Sequence, residues 1–421
     1  MKLNYLWLLP LIFTVAACQK LDQTPQSTAS KSSVFGSENG LQLYANSFYT
    51  ILPMGSTRED AMSDYLAVKA VPTFIQENAF AASLSTGWTW GELRNINYFI
   101  ENNNDPKISA DTRKHFMGLA RFFRAYFYFE KVKRFGDVPW IGKPLEVTDP
   151  ALYNARDPRT LVMDSVLADL DYACANLKAS PDASRSTVTR DVAFALKSRI
   201  CLFEGTFRKY HTQLDLQGTA AAWLNNAAAA SKVIMDKGTY SINTSGGVGN
   251  SYRLVFTNPT PIVNEVMFAS ISDLTLNVLN DANWWWTSGT YGAKASFTRT
   301  FINTYLNLDG TPFTNNPNYT TTLFKDEVKN RDQRLKQTIR SGNYKRINGG
   351  VQVAAPPVFS YTFTGYQPIK WTLDDTYYDT RDLNINSIAL FRYAEILLNF
   401  AEAKAELGTL TDAEWAATVG V

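Results

Sequence analysis

Residues 117–140 read MGLARFFRAYFYFEKVKRFGDVPW, and this stretch decides the fold. Its apolar residues recur at close to helical spacing, which predicts a helix. Because the aromatic side chains cover more than one stripe of that helix, we expect at least two neighbouring elements to pack on it. Gly136 is placed to end the helix as a left-handed cap, and Pro139 prevents the helix from resuming. The stretch therefore predicts a central helix, followed by an ordered loop in which Trp140 packs.

Similar periodicity elsewhere in the chain predicts a mainly α-helical protein. Further helices are expected at about residues 35–52, 93–100, 161–177, 188–207, 220–237 and 387–407. Their lengths, their short turns and the small residues at expected crossings are typical of tetratricopeptide-like helix pairs, although no exact 34-residue repeat is present.

From about residue 238 to 386 the composition changes. Gly, Asn, Thr and Pro become frequent and apolar runs shorten, which indicates a loop-rich region with a few short strands. Helical periodicity persists there only at about 297–308. We expect one domain over residues 34–421, in which a helical scaffold (about 34–237 and 387–421) supports this loop-rich region. Long irregular stretches inside a compact protein usually carry function.

The charge balance excludes some classes of partner. The 421 residues include 41 basic and 39 acidic side chains, a formal charge of +2, and no long run of one sign. A nucleic-acid groove or a polybasic membrane patch would require clustered positive charge. We therefore expect no nucleic acid partner.

Two of the three cysteines, Cys174 and Cys201, lie in apolar helical contexts and are expected to be buried thiols, although a disulfide between them remains possible. Cys18 differs, because it follows a charged start at Lys2, an apolar run over residues 6–15 and the small residues of VAAC at 15–18. The segment is too short for a transmembrane helix.

The segment ending at Cys18 resembles the lipobox of bacterial lipoproteins. The resemblance implies a signal peptide over residues 1–17, acylation of Cys18 with palmitate-type chains, and a flexible tether over residues 18–33. A multiply acylated cysteine would hold the mature protein on a membrane surface without a spanning helix.

The segments of the chain, taken in order, resemble the SusD/RagB family of outer-membrane lipoproteins from Bacteroidota. The segments that carry the resemblance are the lipobox with LDQTP at 21–25, residues 88–97, ARFFRAYFYF at 120–129, RFGDVP at 134–139, VLADLDYA at 166–173, residues 190–204, residues 234–240, NEVMF at 264–268, Asp332 with Arg334, and LFRYAEILLNFAEA at 390–403.

This resemblance implies a mainly α-helical fold, with four tetratricopeptide-like helix pairs supporting a ligand-facing half. It also implies a surface lid for a SusC-like TonB-dependent transporter, which receives a glycan or, in some members, a peptide. The family normally continues past the region matching 392–407 through another helix and an Asn-x-x-Arg-x-Arg-like segment. We therefore expect the C-terminus here to be truncated.

Aromatic side chains are the main candidates for ligand binding. Flat rings stack on the apolar faces of sugars and supply contact area at low entropic cost. The candidate glycan-binding residues are Trp88, Trp90, Trp284, Trp285, Trp286, Tyr291 and Trp371, with Asp64, Asn95, Asn97 and Asn283 as polar companions. The resemblance implies the region 88–97 first. Core packing remains an alternative for each ring, although the three consecutive rings at 284–286 cannot all point inward.

Signals for an enzyme are weak. His115 and His211 belong to no metal-binding pattern, and neither a Gly-x-Ser-x-Gly elbow nor a phosphate-binding glycine loop is present. Paired carboxylates among Asp374, Asp375 and Asp379 are conceivable for glycoside hydrolysis, since their separation is not visible in sequence. We expect no catalytic residue, no cofactor and no metal site. The alternatives are a peptide-binding RagB-like member, a surface glycoside hydrolase, or a lid that binds no glycan.

Overall fold

Helices make up most of the regular structure. The computed structural model describes residues 30–53, 63–70, 86–179, 182–288 and 294–421. In these ranges the α-helices are α1 (Lys31–Phe35), α2 (Glu38–Asn46), α3 (Gly91–Asn102), α4 (Ala110–Phe135), α5 (Arg159–Asn176), α6 (Arg190–Tyr210), α7 (Gln217–Asp236), α8 (Ser251–Thr257), α9 (Ala282–Thr287), α10 (Arg299–Asn303), α11 (Phe324–Glu327), α12 (Leu335–Thr338), α13 (Tyr393–Glu406) and α14 (Asp412–Thr418). The strands are β1 (Leu66–Ala67), β2 (Val266–Ser270), β3 (Ser296–Phe297), β4 (Lys345–Asn348), β5 (Val351–Ala354) and β6 (Ile388–Arg392). The mainly α-helical fold class is confirmed.

Helix α4 is the central helix that the sequence predicts. Its buried side chains include Phe116, Phe122, Phe123, Tyr128 and Phe129. At 3.6 residues per turn these five positions are spread around the whole circumference, so neighbouring elements must cover the helix on several sides. The prediction of a crowded central helix is confirmed.

The ends of α4 follow from local capping. The Ser109 hydroxyl accepts a hydrogen bond from the backbone N–H of Thr112, which satisfies an otherwise free donor of the first turn. The helix ends at Phe135, and Gly136 follows with φ of +68°, a backbone conformation that favours glycine. Its ψ of −116° lies outside the left-handed helical region, so the cap differs in detail from the expected one.

The long helices pack as pairs around one large hydrophobic cluster. Helix α4 lies against α5, and α6 lies against α7, while α13 covers both α6 and α7. Small residues allow close approach: the Cα of Gly205 faces Leu224 so closely that a Cβ there would lie 2.8 Å from the leucine side chain. Helices expected at 161–177, 188–207 and 220–237 are all present, with ends shifted by a few residues.

Two helical predictions were wrong in part. Residues 388–392, predicted as helix, form β6, which pairs antiparallel with β2 and places Phe391 opposite Phe268. A short apolar run fits a buried strand as well as a helix, and here the pairing with β2 decides between them. Residues 297–308 are helical only within α10, because β3 occupies Ser296–Phe297 and pairs with β1.

The loop-rich half has a hydrophobic cluster of its own. Phe256, Trp286, Phe297, Ile302 and Trp371 are among its buried members. Leu390, on β6, packs against both this cluster and the cluster of the long helices. The β2–β6 pair therefore joins the helical scaffold to the irregular half.

Three ion pairs connect the long helices, and the pairs of Arg124 and Arg159 are buried. Arg124 on α4 donates two hydrogen bonds to Asp169 on α5, at 2.6 and 2.8 Å. Arg159 on α5 reaches Glu204 on α6 at 2.5 Å, and Arg199 on α6 reaches Glu395 on α13 at 2.6 Å. Such pairs fix the register between neighbouring helices. Removing one residue of a buried pair leaves the other charge in apolar surroundings without a partner.

Cys174 and Cys201 are buried free thiols, as expected from their sequence contexts. Cys18 and the tether before residue 30 lie outside the described residues. None of the described helices combines the length and the apolar character needed to cross a bilayer.

We predict that Phe123→Ala destabilises the protein by about 3–5 kcal/mol, because Phe123 is fully buried and removal of its ring leaves a cavity. Its ring packs against Tyr49 and Phe122, with centroids 4.8 and 5.2 Å away. Urea unfolding of both proteins measures the loss. Tyr153→Ala is the matched control, because Tyr153 is 88% exposed. An unchanged unfolding midpoint for Phe123→Ala would contradict the central place of α4.

Candidate functional site

A groove at the start of α3 contains two of the predicted tryptophans. It has a volume of about 570 Å³ and is lined by Trp88, Trp90 and Asn97 on one side and by residues of the 139–156 loop on the other. We call this the tryptophan groove. Its size lies within the range of small-ligand pockets, about 300–1,000 Å³.

The two tryptophans of the groove are packed differently. Trp90 lies against Phe127 and Tyr128 of α4, with ring centroids 5.8 and 6.3 Å apart. Trp88 is 40% exposed and meets Phe135 edge-on at 4.9 Å. The Arg156 guanidinium lies over the Trp88 ring at 4.9 Å. Trp90 is therefore mainly a packing residue, while part of the Trp88 ring remains accessible.

Helix α4 holds the loop that carries Trp88. Lys131 donates a hydrogen bond to the backbone oxygen of Gly87, and Arg134 donates one to the hydroxyl of Thr86 at 2.9 Å. Burial lowers the pKa of Lys131, because its ammonium group is partly removed from water. Gly87 has φ of +87°, so the turn before Trp88 requires glycine.

The opposite wall of the tryptophan groove is fixed by polar contacts from α3 and α4. The Asn97 amide donates to the backbone oxygen of Ile141 at 2.7 Å and accepts from Arg124 at 3.2 Å. The Tyr128 hydroxyl accepts from the backbone N–H of Ile141 at 2.6 Å. Asn97, a predicted polar companion, is buried and acts here as a support for the loop.

A second cavity, of about 300 Å³, lies in the loop-rich half. Seven aromatic rings line it, together with Thr338, Pro368 and Lys370: Tyr65, Tyr252, Trp286, Phe297, Phe301, Tyr305 and Trp371. We call this the aromatic cavity. Phe301 is central to it, since the ring centroids of Tyr65, Phe297 and Tyr305 lie 5.0, 4.9 and 5.6 Å away. Two of the predicted tryptophans, Trp286 and Trp371, are thus brought together.

The consecutive rings of residues 284–286 belong to helix α9. Trp286 is buried, whereas Trp284 and Trp285 are half-buried. Trp285 packs against the cluster of the loop-rich half. A helical turn sends successive side chains in directions about 100° apart, which explains why the three rings are buried to different extents. The expectation that not all three point inward is confirmed, although the segment is a short helix and not a loop.

The indole N–H of Trp286 is buried and has no hydrogen-bond acceptor among the described residues. A buried donor without an acceptor costs free energy, about 1–3 kcal/mol. Trp286 also lines the aromatic cavity.

The remaining candidates lie in different places. Asp64 is exposed and precedes Tyr65 of the aromatic cavity; its backbone oxygen accepts from the Thr298 hydroxyl at 3.3 Å. The Asn95 amide donates to Ser47 at 2.8 Å and lines neither cavity. Tyr291 lies outside the described residues. Asn283 is buried, and its amide oxygen accepts from the backbone N–H of Leu373 at 2.7 Å, so it is a structural residue.

Two of the three acidic residues considered for hydrolysis, Asp374 and Asp379, are bound by arginines, whereas the Asp375 carboxylate accepts from the backbone N–H of Tyr377 at 2.9 Å. Both oxygens of Asp374 accept hydrogen bonds from Arg253, each at 2.6 Å. Asp379 is held in the same way by Arg346, at 2.6 and 2.8 Å. An arginine fork bound to a carboxylate occupies the lone pairs that proton transfer would use.

The histidines have structural surroundings. His115 packs beside Phe116, and burial lowers its pKa to about 4. His211 lies against Phe207 with ring centroids 4.2 Å apart. Within the described ranges, no group of three or more His, Cys, Asp or Glu side chains is placed to hold a metal ion.

Sequence reasoning missed most members of the aromatic cavity. Tyr65, Phe301 and Tyr305 are single aromatic residues in mixed surroundings, and Phe301 with Tyr305 has the i, i+4 spacing of a helix packed on a core. Burial raises the pKa of Tyr305 to about 12, and its hydroxyl bonds to Thr338 at 3.0 Å. Only the high aromatic content of the region could have indicated these residues.

Two family models match the chain in separate halves. The model described as SusD family matches residues 233–418, and the model described as starch-binding associating with outer membrane matches residues 21–202. Together they span most of the chain. Apart from the lipobox, each segment on which the sequence resemblance rests falls in one of the two matches, except that the segment 190–204 extends two residues past the first.

Curated relatives are similar at low identity. SusD-like protein P25 of Formosa agariphila is 22% identical over 378 residues, which cover 82% of this chain and 63% of that protein. SusD-like protein P2 of the same organism is 24% identical over 239 residues, which cover 50% of this chain and 45% of that protein. The chain therefore spans less than two thirds of the length of these relatives.

Solved structures share the fold. A SusD-like protein from Bacteroides fragilis superposes with a TM-score of 0.70 at 22% identity, covering 91% of this chain and 77% of that one. A SusD-like carbohydrate binding protein from the same species gives 0.68 at 18% identity, covering 92% and 78%. Surface glycan-binding protein A from Bacteroides fluxus gives 0.59 at 18% identity, covering 89% and 77%.

We predict that replacing two of the tryptophans by alanine destabilises the protein by different amounts. Trp371 is only 7% exposed and packs edge-on against Phe256 at 4.7 Å, so Trp371→Ala should cost about 3–5 kcal/mol. Trp88→Ala should cost about 1 kcal/mol, because much of that ring already faces solvent. Differential scanning calorimetry of both variants measures the contrast. Equal losses would mean that Trp88 is a core residue and not an accessible one.

Proposed function

The chain belongs to the SusD/RagB family, and from this we propose that it binds a glycan at the cell surface. The glycan is an oligosaccharide or polysaccharide, which the protein delivers to a SusC-like TonB-dependent transporter in the outer membrane. The description of one matching family as starch-binding and associated with the outer membrane supports this assignment. Relatives named as carbohydrate-binding and glycan-binding proteins support it further.

The aromatic cavity is the observation that carries the proposal. Seven rings around one cavity provide apolar surface for sugar faces, and Thr338 and Lys370 supply polar groups beside them. The Trp286 ring lines this cavity, and its buried indole N–H lacks an acceptor among the described residues. This combination of stacking surface and a few polar groups is what recognition of a strongly hydrated ligand requires. We place the glycan here, with the exposed Trp88 of the tryptophan groove as a second contact.

The membrane attachment rests on the sequence around Cys18. We propose that Cys18 is acylated after removal of residues 1–17, and that the segment between Cys18 and the start of α1 at Lys31, shorter than the tether to residue 33 expected from the sequence, lets the domain reach ligand at the cell surface. Two or more acyl chains give stable anchoring, because each buried methylene contributes about 0.8 kcal/mol.

The proposed role is binding without turnover. The arginine forks on Asp374 and Asp379 support this, since neither carboxylate is placed as an acid or nucleophile. A peptide ligand and a hydrolase activity are the competing outcomes of the test below.

We predict that the protein retains one class of polysaccharide in affinity gels and releases no product from it. Phe301→Ala in the aromatic cavity and Trp88→Ala in the groove should each weaken binding about tenfold, the effect of losing one stacking ring, about 1–2 kcal/mol. Trp284→Ala tests the half-buried ring of α9 in the same way. Isothermal titration with the retained glycan gives the affinities, and reducing-end assays measure product.

Trp415→Ala is the matched control, because Trp415 is an exposed tryptophan on α14 and lines neither the aromatic cavity nor the tryptophan groove. It should leave the affinity unchanged. Product release by the wild-type protein would replace binding with hydrolysis. Retention of peptides but of no polysaccharide would identify a peptide-binding member. Undiminished glycan affinity in all three aromatic variants with intact melting temperatures would remove these residues from the binding site.

A further inference from the structure

A third cavity lies beside the β4–β5 hairpin. It has a volume of about 180 Å³ and is lined by Thr287, Arg340, Arg346, Asn348, Val353, Ala355, Tyr361, Thr376 and Asp379. We call this the arginine pocket. The hairpin turns at Gly349 and Gly350, both with positive φ, and this turn places Arg346 and Val353 opposite each other across the two strands.

One arginine of the pocket is neutralised. Arg346 donates to both oxygens of Asp379, and Asp379 also accepts from Thr287 at 3.1 Å and from Asn283 at 3.1 Å. Both charges of this pair are therefore satisfied within the protein. The pair contributes no net charge to the pocket.

The other arginine has no such partner. Arg340 is 5% exposed, and its Nε has no hydrogen-bond partner in the part of the chain that the structure describes. Among the described residues, no carboxylate forms an ion pair with Arg340 and no acceptor receives a hydrogen bond from its guanidinium. The guanidinium carbon lies 5.3 Å from the centre of the Tyr344 ring.

Arg340 stands apart from the other buried arginines of the described chain. Each of those donates hydrogen bonds from its guanidinium to carboxylate, hydroxyl or backbone oxygens: Arg124, Arg159, Arg185, Arg208, Arg331 and Arg346. Burial lowers the pKa of Arg340, and the charge of Arg346 lowers it further, against opposing effects of Tyr344 and Asp379. A buried cation without a counterion is costly, unless a ligand supplies the anion.

The charged side chains that line the pocket, Arg340, Arg346 and Asp379, sum to a net charge of +1. This charge favours the binding of an oxyanion. A guanidinium offers a planar fork that matches a carboxylate or a sulfate with two parallel hydrogen bonds. Asn348 adds a neutral donor, because its amide oxygen already accepts from Thr376 at 3.2 Å and its NH₂ group remains.

An aromatic ring beside this charge points to a sugar as the carrier of the anion. Tyr361 lines the pocket and is 42% exposed. Two further rings on the same segment, Phe359 and Phe363, are also exposed. Free phosphate or sulfate would need the charge but not the rings, whereas an acidic sugar uses both.

We propose that the arginine pocket binds the anionic substituent, a carboxylate or a sulfate ester, of an acidic sugar. The ligand of the protein is then an acidic glycan. This inference rests on the proposed glycan-binding function and names its substrate class. Helix α9 joins the two parts of the site, since Trp286 lines the aromatic cavity and the next residue, Thr287, lines the arginine pocket.

The test compares wild-type protein with Arg340→Gln by titration against three probes: oligogalacturonate, sulfated carrageenan oligosaccharide and neutral maltooligosaccharide. The first two separate carboxylate from sulfate recognition. Wild type should prefer one acidic probe, and Arg340→Gln should lower that affinity at least tenfold, because one buried charged hydrogen-bonding group is lost. Binding of the neutral probe should not change.

Two further variants sharpen the result. Lys345→Gln removes one exposed positive charge from the same hairpin and should leave all affinities unchanged. Arg340→Lys keeps the charge without the fork and should give an intermediate affinity. The melting temperature of Arg340→Gln should be equal to or above that of wild type, because no carboxylate depends on Arg340. A large fall in melting temperature would make Arg340 a structural residue and overturn the inference.

The two proposals can fail separately. Equal binding of neutral and acidic probes, or undiminished acidic binding by Arg340→Gln, would overturn the acidic ligand while glycan binding stands. If wild type binds no oligosaccharide, but free galacturonate or sulfate raises its melting temperature and this effect is lost in Arg340→Gln, the anion site stands without the glycan function. No response to any probe overturns both.

Discussion

Burial of the aromatic side chains around α4 is the constraint on which the rest of the structure depends. Phe122, Phe123 and Tyr128 are fully buried on different sides of one helix, so no single neighbour can cover them. The turn at Ser47–Ile51 supplies Phe48 and Tyr49, α6 supplies Phe203, and the loop after α4 supplies Trp140. Each of these contacts removes apolar surface from water, at roughly 25 cal/mol per Å². The helix pairs therefore assemble around α4, and the α4–α5 register is fixed by the Arg124–Asp169 pair.

The same helix also positions the surface that carries Trp88. Arg124 donates hydrogen bonds to Asp169 in the core and to Asn97 beside the tryptophan groove, while Lys131 donates one to the backbone oxygen of Gly87. Both side chains are buried among the apolar residues of α4, and each one is satisfied by a neighbouring element. A change in the packing of α4 would therefore move both walls of the groove. Scaffold and groove are coupled through hydrogen bonds and not only through proximity.

Periodicity predicted the helical scaffold well, because side-chain burial on a long helix repeats along the sequence. It predicted β6 wrongly, since the apolar run from Ile388 to Phe391 acquires its strand conformation from β2, more than a hundred residues away. The two cavities show the same limit. Trp286 and Trp371 could be chosen from residue type, and Trp88 from its place near α3. Long-range packing, which a single sequence does not display, places Trp88 in a groove and Trp286 and Trp371 in a cavity. The same packing brings Tyr65 and Phe301 beside Trp286.

Arg340 illustrates what only the structure can supply. In sequence it is one of 41 basic residues and belongs to no motif. It differs from other buried arginines of the fold: Arg124 and Arg159 are paired with carboxylates on neighbouring helices, and Arg346 is paired with Asp379 in the same pocket. Arg340 forms no such ion pair among the described residues, so it does not hold helices together. Removing its charge from water is unfavourable unless an anion from outside the protein binds it. The loop-rich half thus combines two requirements of glycan recognition, stacking rings in one cavity and a free guanidinium in the next, on either side of the short helix α9.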